Sequence, residues 1–491
     1  MVDLAYVPPA GGPAPDPGAV AAGVAPVEAG TRAGPGHYYA GGAPGLAFTL
    51  APVHGVGRAL LPEAGLRWAL TVLGAGLPLA AAAVAVRRAA REGGAAPDAA
   101  TLAAVAFGVG TIALPFALRL YAHALVVALL AWSLALLLAR APSARRCALA
   151  GALAGWAVAC DYSAALQAAG LLVLAGVRGG ARAGGAFCLG GLPFAGLVGA
   201  YHAACFGAPW RTPYDHHANL ITRTIVADGA WGFTAPRPGV LLALLVGERR
   251  GLLFTQPAAL IGLVGLVSVA RRRPAHAVAL GVVVVTLLAN AARHDDWAAG
   301  QSFGARYAAA ALPFLALGLP AGLALLGRAG PWALGVSVVC AGLGAVGEWG
   351  RDVWTTLDAA WWLGLRARGV ELALLGQAPH ALAAALVGVV VVAVLAPLAL
   401  RGLLPAAPRA AFVVATALPL LIGGHGALRV ARAGPDAARR VVVVRQLGRA
   451  IDAAGSLEEL RGLHQQLFLT GLDEDADLRA RLARRAAELT R

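Results

Sequence analysis

Long apolar runs separated by short basic connections are the feature that most constrains this chain. Hydrophobic residues make up 59% of its 491 residues, and charged residues make up only 13%. A surface of that composition does not suit a soluble protein. One membrane crossing takes roughly 20 apolar residues as a helix, and no run shows the alternating pattern of an outer-membrane barrel strand. The sequence therefore predicts an all-α, polytopic transmembrane helical bundle.

Twelve apolar stretches are candidate spans. They cover residues 66–86, 99–118, 122–139, 147–160, 163–177, 185–206, 252–270, 275–292, 307–326, 332–346, 381–400 and 410–428. The predicted organisation has three parts. These are an external loop with an interfacial helix over 1–65, a bundle of about twelve helices over 66–428, and a soluble helical C-terminal tail over 429–491.

The arginines predict how the bundle lies in the membrane. The net charge is +15, but the chain contains arginine and no lysine, and its arginines stand at the ends of apolar runs. That pattern indicates topology and argues against a nucleic-acid partner. By the positive-inside rule the arginine-rich connections face the cytoplasm, while loops 207–251, 293–306 and 347–380 face outward. The predicted location is the cytoplasmic (inner) membrane, with multiple passes.

The two ends of the chain pose separate topological questions. An external segment 1–65 either crosses the membrane unaided or needs an upstream helix to carry it across, and we favour a translation start further upstream. Strict alternation places the tail 429–491 outside, whereas the arginines directly after the last span favour the cytoplasm. The side of the tail stays open at this stage.

Asp161 is the clearest candidate for a functional group. It follows the apolar stretch GALAGWAVAC, and the alternation of spans requires the chain to turn there. Ionisable groups in or beside the membrane are costly, at roughly 2.5 to 3.5 kcal/mol in mid-bilayer, so each needs a reason. Asp161 is suited to act as a general base or metal ligand in an external cavity. The alternative is a cap on the helix that starts at Ser163.

The loop that runs from His294 to Tyr307 is the second candidate site. It holds two adjacent carboxylates, an aromatic residue and an arginine at a helix start: Asp295, Asp296, Trp297, Arg306 and Tyr307. Neighbouring aspartates are suited to a divalent cation such as Mg²⁺ or Mn²⁺ that bridges phosphate oxygens, and arginine offers phosphate a bidentate fork. The cofactor is otherwise undetermined. The alternative is a solvated loop with an interfacial anchor.

Two arginines lie on the predicted outer side against the topological bias. Arg249 and Arg250 stand immediately before a span, where an anionic lipid headgroup would explain them. The alternative is that their long side chains snorkel to the interface.

Other polar residues are predicted on the same side of the membrane. His37, Tyr38 and Tyr39 precede a glycine-rich stretch and an amphipathic run that is typical of an interfacial helix. His123 lies just inside the third span, where a single histidine is commonly a hydrogen-bonded packing residue. The adjacent pair His216 and His217 is a weak metal signal because it lacks helical spacing.

Six stretches of the sequence form an ordered set. They are GHYYAGGAPG (36–45), GTIALPFALRLYAH (110–123), GALAGWAVACDYSAAL (151–166), YHAACFGAPWRTPY (201–214), RGLLFTQP (250–257) and WAAGQSFGARYAAAALP (297–313). Taken in order, they resemble the bacterial branch of the GT-C superfamily of membrane glycosyltransferases, which is related to protein O-mannosyltransferases and the lipid A aminoarabinose transferase. The resemblance covers about residues 30 to 325.

The resemblance implies a reaction and roles for these residues. An external cavity would bind a polyprenyl-phosphate sugar, and a carboxylate would deprotonate the acceptor hydroxyl as the phosphate leaves. Asp161 would belong to the cavity, with Asp295 and Asp296 as further catalytic candidates. Arg249, Arg250 and Arg306 would be candidate phosphate contacts. Tyr38, Tyr39 and Trp297 would be candidate contacts to the sugar or lipid, and His37, His123 and Tyr307 would complete the substrate-binding set.

The chain departs from the family at one point. The family's hallmark acid lies in the first external loop, and this chain begins partway along that loop, with Asp3 and Asp16 beyond the acid's position. The resemblance thus implies either a truncated reading or a protein without catalysis. The leading hypothesis is a glycosyltransferase whose partners are a lipid-linked sugar donor and membrane lipids. The alternatives are a transporter or lipid flippase, and a non-catalytic protein of GT-C-like fold.

Overall fold

A computed structural model gives the fold of this chain. It describes residues 24–26, 38–40, 42–139, 143–216, 229–230, 232–247, 250–293, 297, 302–346, 447–457, 459–460, 463–464 and 476–490. The labelled helices are α1 (Gly45–Leu60), α2 (Glu63–Glu92), α3 (Pro97–Gly110), α4 (Ala113–Ala117), α5 (Ala122–Leu138), α6 (Ala144–Cys160), α7 (Ala165–Phe206), α8 (Pro238–Val246), α9 (Leu252–Thr255), α10 (Pro257–Ala270), α11 (Pro274–Ala292), α12 (Leu312–Leu326), α13 (Gly330–Val346) and α14 (Ala476–Thr490).

The predicted helical class is confirmed for these residues, with one small exception. Strands β1 (Val24–Pro26) and β2 (Tyr38–Ala40) pair as an antiparallel ribbon. Proline at the first position begins α3, α10 and α11, where its missing N–H costs no hydrogen bond. Leucine and alanine, which are strong helix formers, fill nearly half of the remaining positions of these three helices.

Among the described residues, four helical stretches are long and apolar enough to cross a membrane. They are Glu63–Glu92, Tyr162–Phe206, Pro274–Ala292 and Arg306–Gly342. Shorter apolar helices accompany them at Pro97–Gly110, Ala122–Leu138 and Pro257–Ala270. These helices indicate a membrane protein, but the predicted count of about twelve spans is not confirmed. The predicted spans 381–400 and 410–428 lie outside the described residues.

Helix α7 reverses its direction at Gly180. This glycine has φ 65° and ψ −163°, a left-handed conformation that favours a residue without Cβ. The Tyr162 hydroxyl lies 2.7 Å from Nε2 of His202, although a straight helix would separate them by about 60 Å at 1.5 Å per residue. The helix therefore consists of two antiparallel arms, and the reversal falls between the predicted spans 163–177 and 185–206.

The second arm of α7 packs backbone to backbone against α6. A Cβ built on Gly151 would lie 1.8 Å from the carbonyl oxygen of Phe187, and one built on Gly190 would lie 1.8 Å from that of Ala148. Small residues at such crossings let two helices approach closely, which is the usual mode of helix association in membranes. This contact holds the N-terminal half of α6, the helix that ends at Asp161.

The central core lies among α3, α5, α10 and α12. Its fully buried large side chains include Phe107, Phe116, Leu130, Leu134 and Phe314. The chain turns at Gly327, and α13 then runs back along this core. Gly344, near the end of α13, lies against the ring of Phe303, which precedes α12 in the sequence. The predicted external loop 207–251 contains the nine-residue apolar helix α8, which packs against α11.

Arginine-bearing connections meet at one end of the bundle. Arg91 donates to the carbonyl oxygen of Ala95, and Arg273 donates to that of Gly93. We call this the arginine end, defined by Arg91, Arg273 and the nearby Arg328.

In the tail, helical residues 447–453 and α14 pack around Leu447, Ile451 and Leu478, and Arg481 pairs with Asp452 and Asp477.

Candidate functional site

The turn between α6 and α7 holds Asp161 in a defined network. Its Oδ1 accepts hydrogen bonds from the backbone N–H of Ser163 at 2.9 Å and from the Ser163 hydroxyl at 2.8 Å. Its Oδ2 lies 3.3 Å from Nδ1 of His123, at the start of α5. Asp161 therefore caps the short turn Tyr162–Ala164, and it also pairs with an imidazole 38 positions earlier in the chain. The two predicted roles, cap and site residue, are compatible.

The surroundings of Asp161 keep it ionised. Burial raises the pKa of its carboxyl, but the hydrogen bond and charge of His123, with the bonds from Ser163, outweigh burial and lower the pKa from 3.8 to about 2. The stabilisation that this lowered pKa reflects is fully present above about pH 4 and is lost as the pH falls through about 2. A carboxylate with so low a pKa is a weak proton acceptor at neutral pH.

Aromatic rings hold the imidazole of His123. Tyr121 stacks on it at 6.1 Å with an interplanar angle of 8°, and Phe116 meets it edge-on at 5.0 Å. The side chain is 14% exposed. No described residue forms a hydrogen bond with Nε2 of His123. The ring is thus fixed through Nδ1 and through its faces, with Nε2 at the opposite end.

Helix α1 covers the end of α6 that precedes Asp161. A Cβ built on Gly45 would lie 2.6 Å from the backbone of Ala159 and Cys160, so only a residue without a side chain permits this approach. The indole N–H of Trp156 donates to the Thr49 hydroxyl at 3.1 Å. A helix is therefore present where the sequence predicts an interfacial one, and its first turn packs against the residues that precede Asp161. Its place at the membrane interface stays a prediction.

Arginines gather around Tyr307 on a neighbouring segment. The guanidinium of Arg293 lies 3.7 Å from the centroid of the Tyr307 ring and 4.9 Å from that of Phe233. Arg306 lies 5.1 Å from the Tyr307 ring, and Arg237 donates to the carbonyl oxygen of Arg293 at 2.6 Å. No carboxylate of the described residues pairs with Arg293. We call Arg237, Arg293 and Arg306 the arginine cluster.

The arginine cluster and the Asp161 turn belong to one end of the bundle. The segment Arg306–Ala311 contacts the turn Tyr162–Ala164, helix α5 and helix α11. It therefore links the elements that carry Asp161, His123 and Arg293. We call this the site end. The site end combines a fixed carboxylate, an imidazole and the positive charge of the arginine cluster. Among the described residues, Arg293 has no counter-ion, so its charge suits a ligand that carries phosphate.

A cluster of buried hydrogen bonds, which we call the Gln256 cluster, fixes the loop that leads into the segment Arg306–Ala311. Helix α3 stops at Gly110, and the buried N–H of Ile112 beyond its end donates to Oε1 of Gln256 at 3.1 Å. Gly304 has φ 65°, and a Cβ there would lie 2.7 Å from the Ile112 side chain. Ser337 joins α13 to the same place, accepting from the Ala258 N–H at 2.8 Å. Three of the stretches that resemble GT-C enzymes meet here.

Replacing Gln256 with leucine tests how much its hydrogen bond to Ile112 stabilises the fold. The change leaves the buried N–H of Ile112 without its acceptor, so we expect the free energy of unfolding to fall by about 1–3 kcal/mol. The measurement is equilibrium unfolding of the purified protein in mixed micelles. Ser268→Ala is the matched control on α10, since it removes one bond to the Gly265 carbonyl and leaves no buried donor unpaired. An equal loss in both variants contradicts the role of Gln256.

The structure describes only some of the remaining residues that the sequence predicts for the site. His37, Arg249, Asp295 and Asp296 lie outside the described residues, and Tyr38 and Tyr39 are described only as backbone of β2. Trp297 packs against the central core, and Arg250 is 8% exposed. The described residues hold no group of three metal-binding side chains. The proposed cation site at Asp295 and Asp296 therefore stays a prediction.

Two residues of the arginine cluster did not emerge from the sequence as candidates. Arg237 lies in PRPG, and Arg293 directly follows α11 and precedes the two aspartates. An arginine beside a span on the predicted outer side is the signal that pointed to Arg249 and Arg250, and it applies equally to Arg293. The pairing of His123 with Asp161 has no sequence signal, because 38 residues separate them.

Comparisons with protein-family models, curated proteins and solved structures found no match for this chain. No relative therefore assigns a role to any residue of the site end. The contacts of the site end, and the resemblance of six stretches to GT-C enzymes, are the support for a function.

Proposed function

We propose that this protein is a glycosyltransferase that moves a sugar from a polyprenyl-phosphate donor to an acceptor hydroxyl. The observation that carries the proposal is the pairing of Asp161 with His123 beside the segment Arg306–Ala311. Sugar transfer from a lipid phosphate needs a proton acceptor for the incoming hydroxyl and positive charge for the departing phosphate. The site end offers both within a membrane protein.

The distances favour a division of roles between His123 and Asp161. If Nδ1 of His123 donates its proton to Asp161, Nε2 carries the lone pair and can accept a proton. Asp161, with its lowered pKa, stays ionised and positions the imidazole. The acceptor oxygen then bonds to the anomeric carbon while the bond from that carbon to the phosphate oxygen breaks. The phosphate leaves with the electron pair, and the hydroxyl proton passes to Nε2.

The arginine cluster supplies the electrostatic part of the reaction. Arg293 and Arg306 are held against the ring of Tyr307, so their guanidinium groups are ordered before the donor binds. Preorganised positive charge stabilises a leaving phosphate without the cost of reorganisation. Asp295 and Asp296 retain the proposed role of ligands for Mg²⁺ or Mn²⁺.

The finer topology is part of the same proposal. We place the site end at the outer face of the cytoplasmic membrane and the arginine end in the cytoplasm, as the positive-inside rule predicts. The full bundle would then contain about twelve helices. The described contacts between Arg91, Arg273 and their neighbouring connections support a shared face for the arginine-rich loops.

A lipid flippase is the second candidate, and one set of contacts favours it. Gln167 on α7 donates to the Thr286 hydroxyl on α11 at 2.7 Å, and both side chains are buried. One turn along α11, Asn290 is 2% exposed, and both of its amide atoms lack a hydrogen-bond partner among the described residues. Buried polar groups between membrane helices can mark a path for a polar headgroup.

One assay separates the two functions. Purified protein is reconstituted in liposomes with a panel of polyprenyl-phosphate monosaccharides, and the release of polyprenyl phosphate is followed with time. Transfer predicts release that depends on the protein and on an acceptor. A flippase moves the lipid between leaflets but releases none. Absence of release with every donor, together with protein-dependent transbilayer movement, contradicts the proposed transferase.

Arg293→Gln tests the phosphate role of the arginine cluster. The loss of a charge-assisted contact of about 1.5–3 kcal/mol predicts donor binding weakened by roughly 10-fold to 100-fold. Arg293→Lys keeps the charge and should recover part of the loss. Arg211→Gln, at an exposed position outside the cluster, is the matched control. The measurement is displacement of a fluorescent polyprenyl phosphate, and equal binding by Arg293→Gln and Arg211→Gln contradicts the assignment.

A further inference from the structure

A cavity lies at the arginine end, far from the site end. Its volume is about 460 Å³, and it is bounded by the start of α3, the end of α12 and the start of α13. Its apolar wall includes Leu102, Pro320 and Leu323. This volume lies in the range of small-molecule sites in proteins. The cavity lies where the apolar helices α3 and α12 begin and end.

Two opposite charges line the same cavity. Asp98, in the first turn of α3, and Arg328, in the turn before α13, both contribute to its wall. No described residue forms a hydrogen bond or an ion pair with either side chain. The cavity therefore offers one anionic group, one cationic group and an apolar surface to a single occupant.

Further positive charge lies beside the cavity. Ala96 belongs to its wall, and Arg91 donates to the carbonyl oxygen of the adjacent Ala95. Arg273 donates to the carbonyl oxygen of Gly93 in the same connection. Basic pockets between membrane helices on the arginine-rich side attract phosphate headgroups. The phosphate is thus the part of the occupant that these surroundings favour most.

We propose that this cavity binds a phospholipid whose headgroup carries both a phosphate and a primary amine, as in phosphatidylethanolamine. The phosphate would contact Arg328, the ammonium would donate to Asp98, and an acyl chain would lie on Leu102, Pro320 and Leu323. A phosphatidylcholine headgroup has no N–H to donate to Asp98. A phosphatidylglycerol headgroup has no cation to neutralise it. The amine therefore determines the selectivity of the cavity.

The test is native mass spectrometry of the full-length chain in detergent, titrated with dioleoyl forms of the three phospholipids. A charged contact near the membrane surface contributes about 1 kcal/mol, so we expect phosphatidylethanolamine to bind about fivefold tighter than either of the others. Asp98→Asn should abolish this preference while keeping phosphate-dependent binding. Arg328→Gln should weaken the binding of all three lipids about fivefold.

Matched variants keep the test independent of folding. Glu92→Gln and Arg88→Gln change exposed charges at the same end that do not line the cavity, and they should leave the preference intact. Ala324→Trp places a large ring in the cavity wall and should abolish the bound lipid in protein that stays monodisperse. Equal binding of the three lipids by the parent protein, or an unchanged preference in Asp98→Asn, overturns the proposal.

Discussion

Replacement of His123 by glutamine should lower the turnover of sugar transfer by about 100-fold to 10,000-fold, the range that general-base catalysis contributes. Glutamine retains a polar side chain of similar reach but cannot accept the hydroxyl proton. Because His123 lies outside the arginine cluster, the KM for the donor should change little. The measurement is the initial rate of polyprenyl-phosphate release in liposomes, over a range of donor concentrations. This variant carries one of the two largest effects that we expect.

Asp161→Asn should also lower turnover, for a different reason. The amide removes the charge that stabilises the protonated imidazole, and a rotated amide would donate to Nδ1 and leave the proton of His123 on the wrong nitrogen. His54→Gln on α1 is the matched histidine control and should act like the parent. If His123→Gln and Asp161→Asn both transfer sugar at the parent rate, the pair has no part in catalysis.

Gly151→Leu should give the largest loss of stability. Its side chain would meet the backbone of Phe187, since even a Cβ would lie 1.8 Å from that carbonyl oxygen. Overpacked cores usually lose about 1–3 kcal/mol by small adjustments. Here the second arm of α7 must move away from α6, so we expect a loss at or above the upper end of that range. The measurement is equilibrium unfolding in mixed micelles.

Gly196→Leu is the control for that change. Gly196 lies on the same arm of α7, and a Cβ built there meets no atom within 4 Å. It should therefore retain nearly the stability of the parent, apart from the helix propensity gained over glycine. A variant of Gly151 as stable as that of Gly196 would contradict the backbone contact between α6 and α7. Sugar transfer should fall with Gly151→Leu as well, because α6 positions Asp161.

The sequence predicted local structure where composition alone decides it. Residues 122–139 were predicted as a span, and helix α5 runs Ala122–Leu138. The turn at Asp161 followed from the alternation of arginine-rich connections, and the structure has a turn there. In both places an apolar run ends at a charged residue, Arg140 or Asp161, and this pattern is visible in the sequence itself.

Features that depend on distant residues were not predictable in the same way. The stretch 99–118 was predicted as one span, but the structure ends α3 at Gly110 and bonds the next free N–H to Gln256, far along the chain. The guanidinium of Arg293 is held by its contact with the ring of Tyr307. The pairing of His123 with Asp161 depends on how α5 packs beside α6. Each of these contacts is set by tertiary packing.

Photolabelling with the donor shows which residues it contacts. A polyprenyl-phosphate sugar with a photoreactive diazirine is irradiated with the reconstituted protein, and the labelled peptides are identified by mass spectrometry. If the site end binds the donor, we expect adducts near residues 119–123, 161–164 and 303–311, each suppressed by excess unlabelled donor. If the adducts that unlabelled donor suppresses were confined to the arginine end, around residues 96–102 and 320–331, that result would contradict a donor site at the site end.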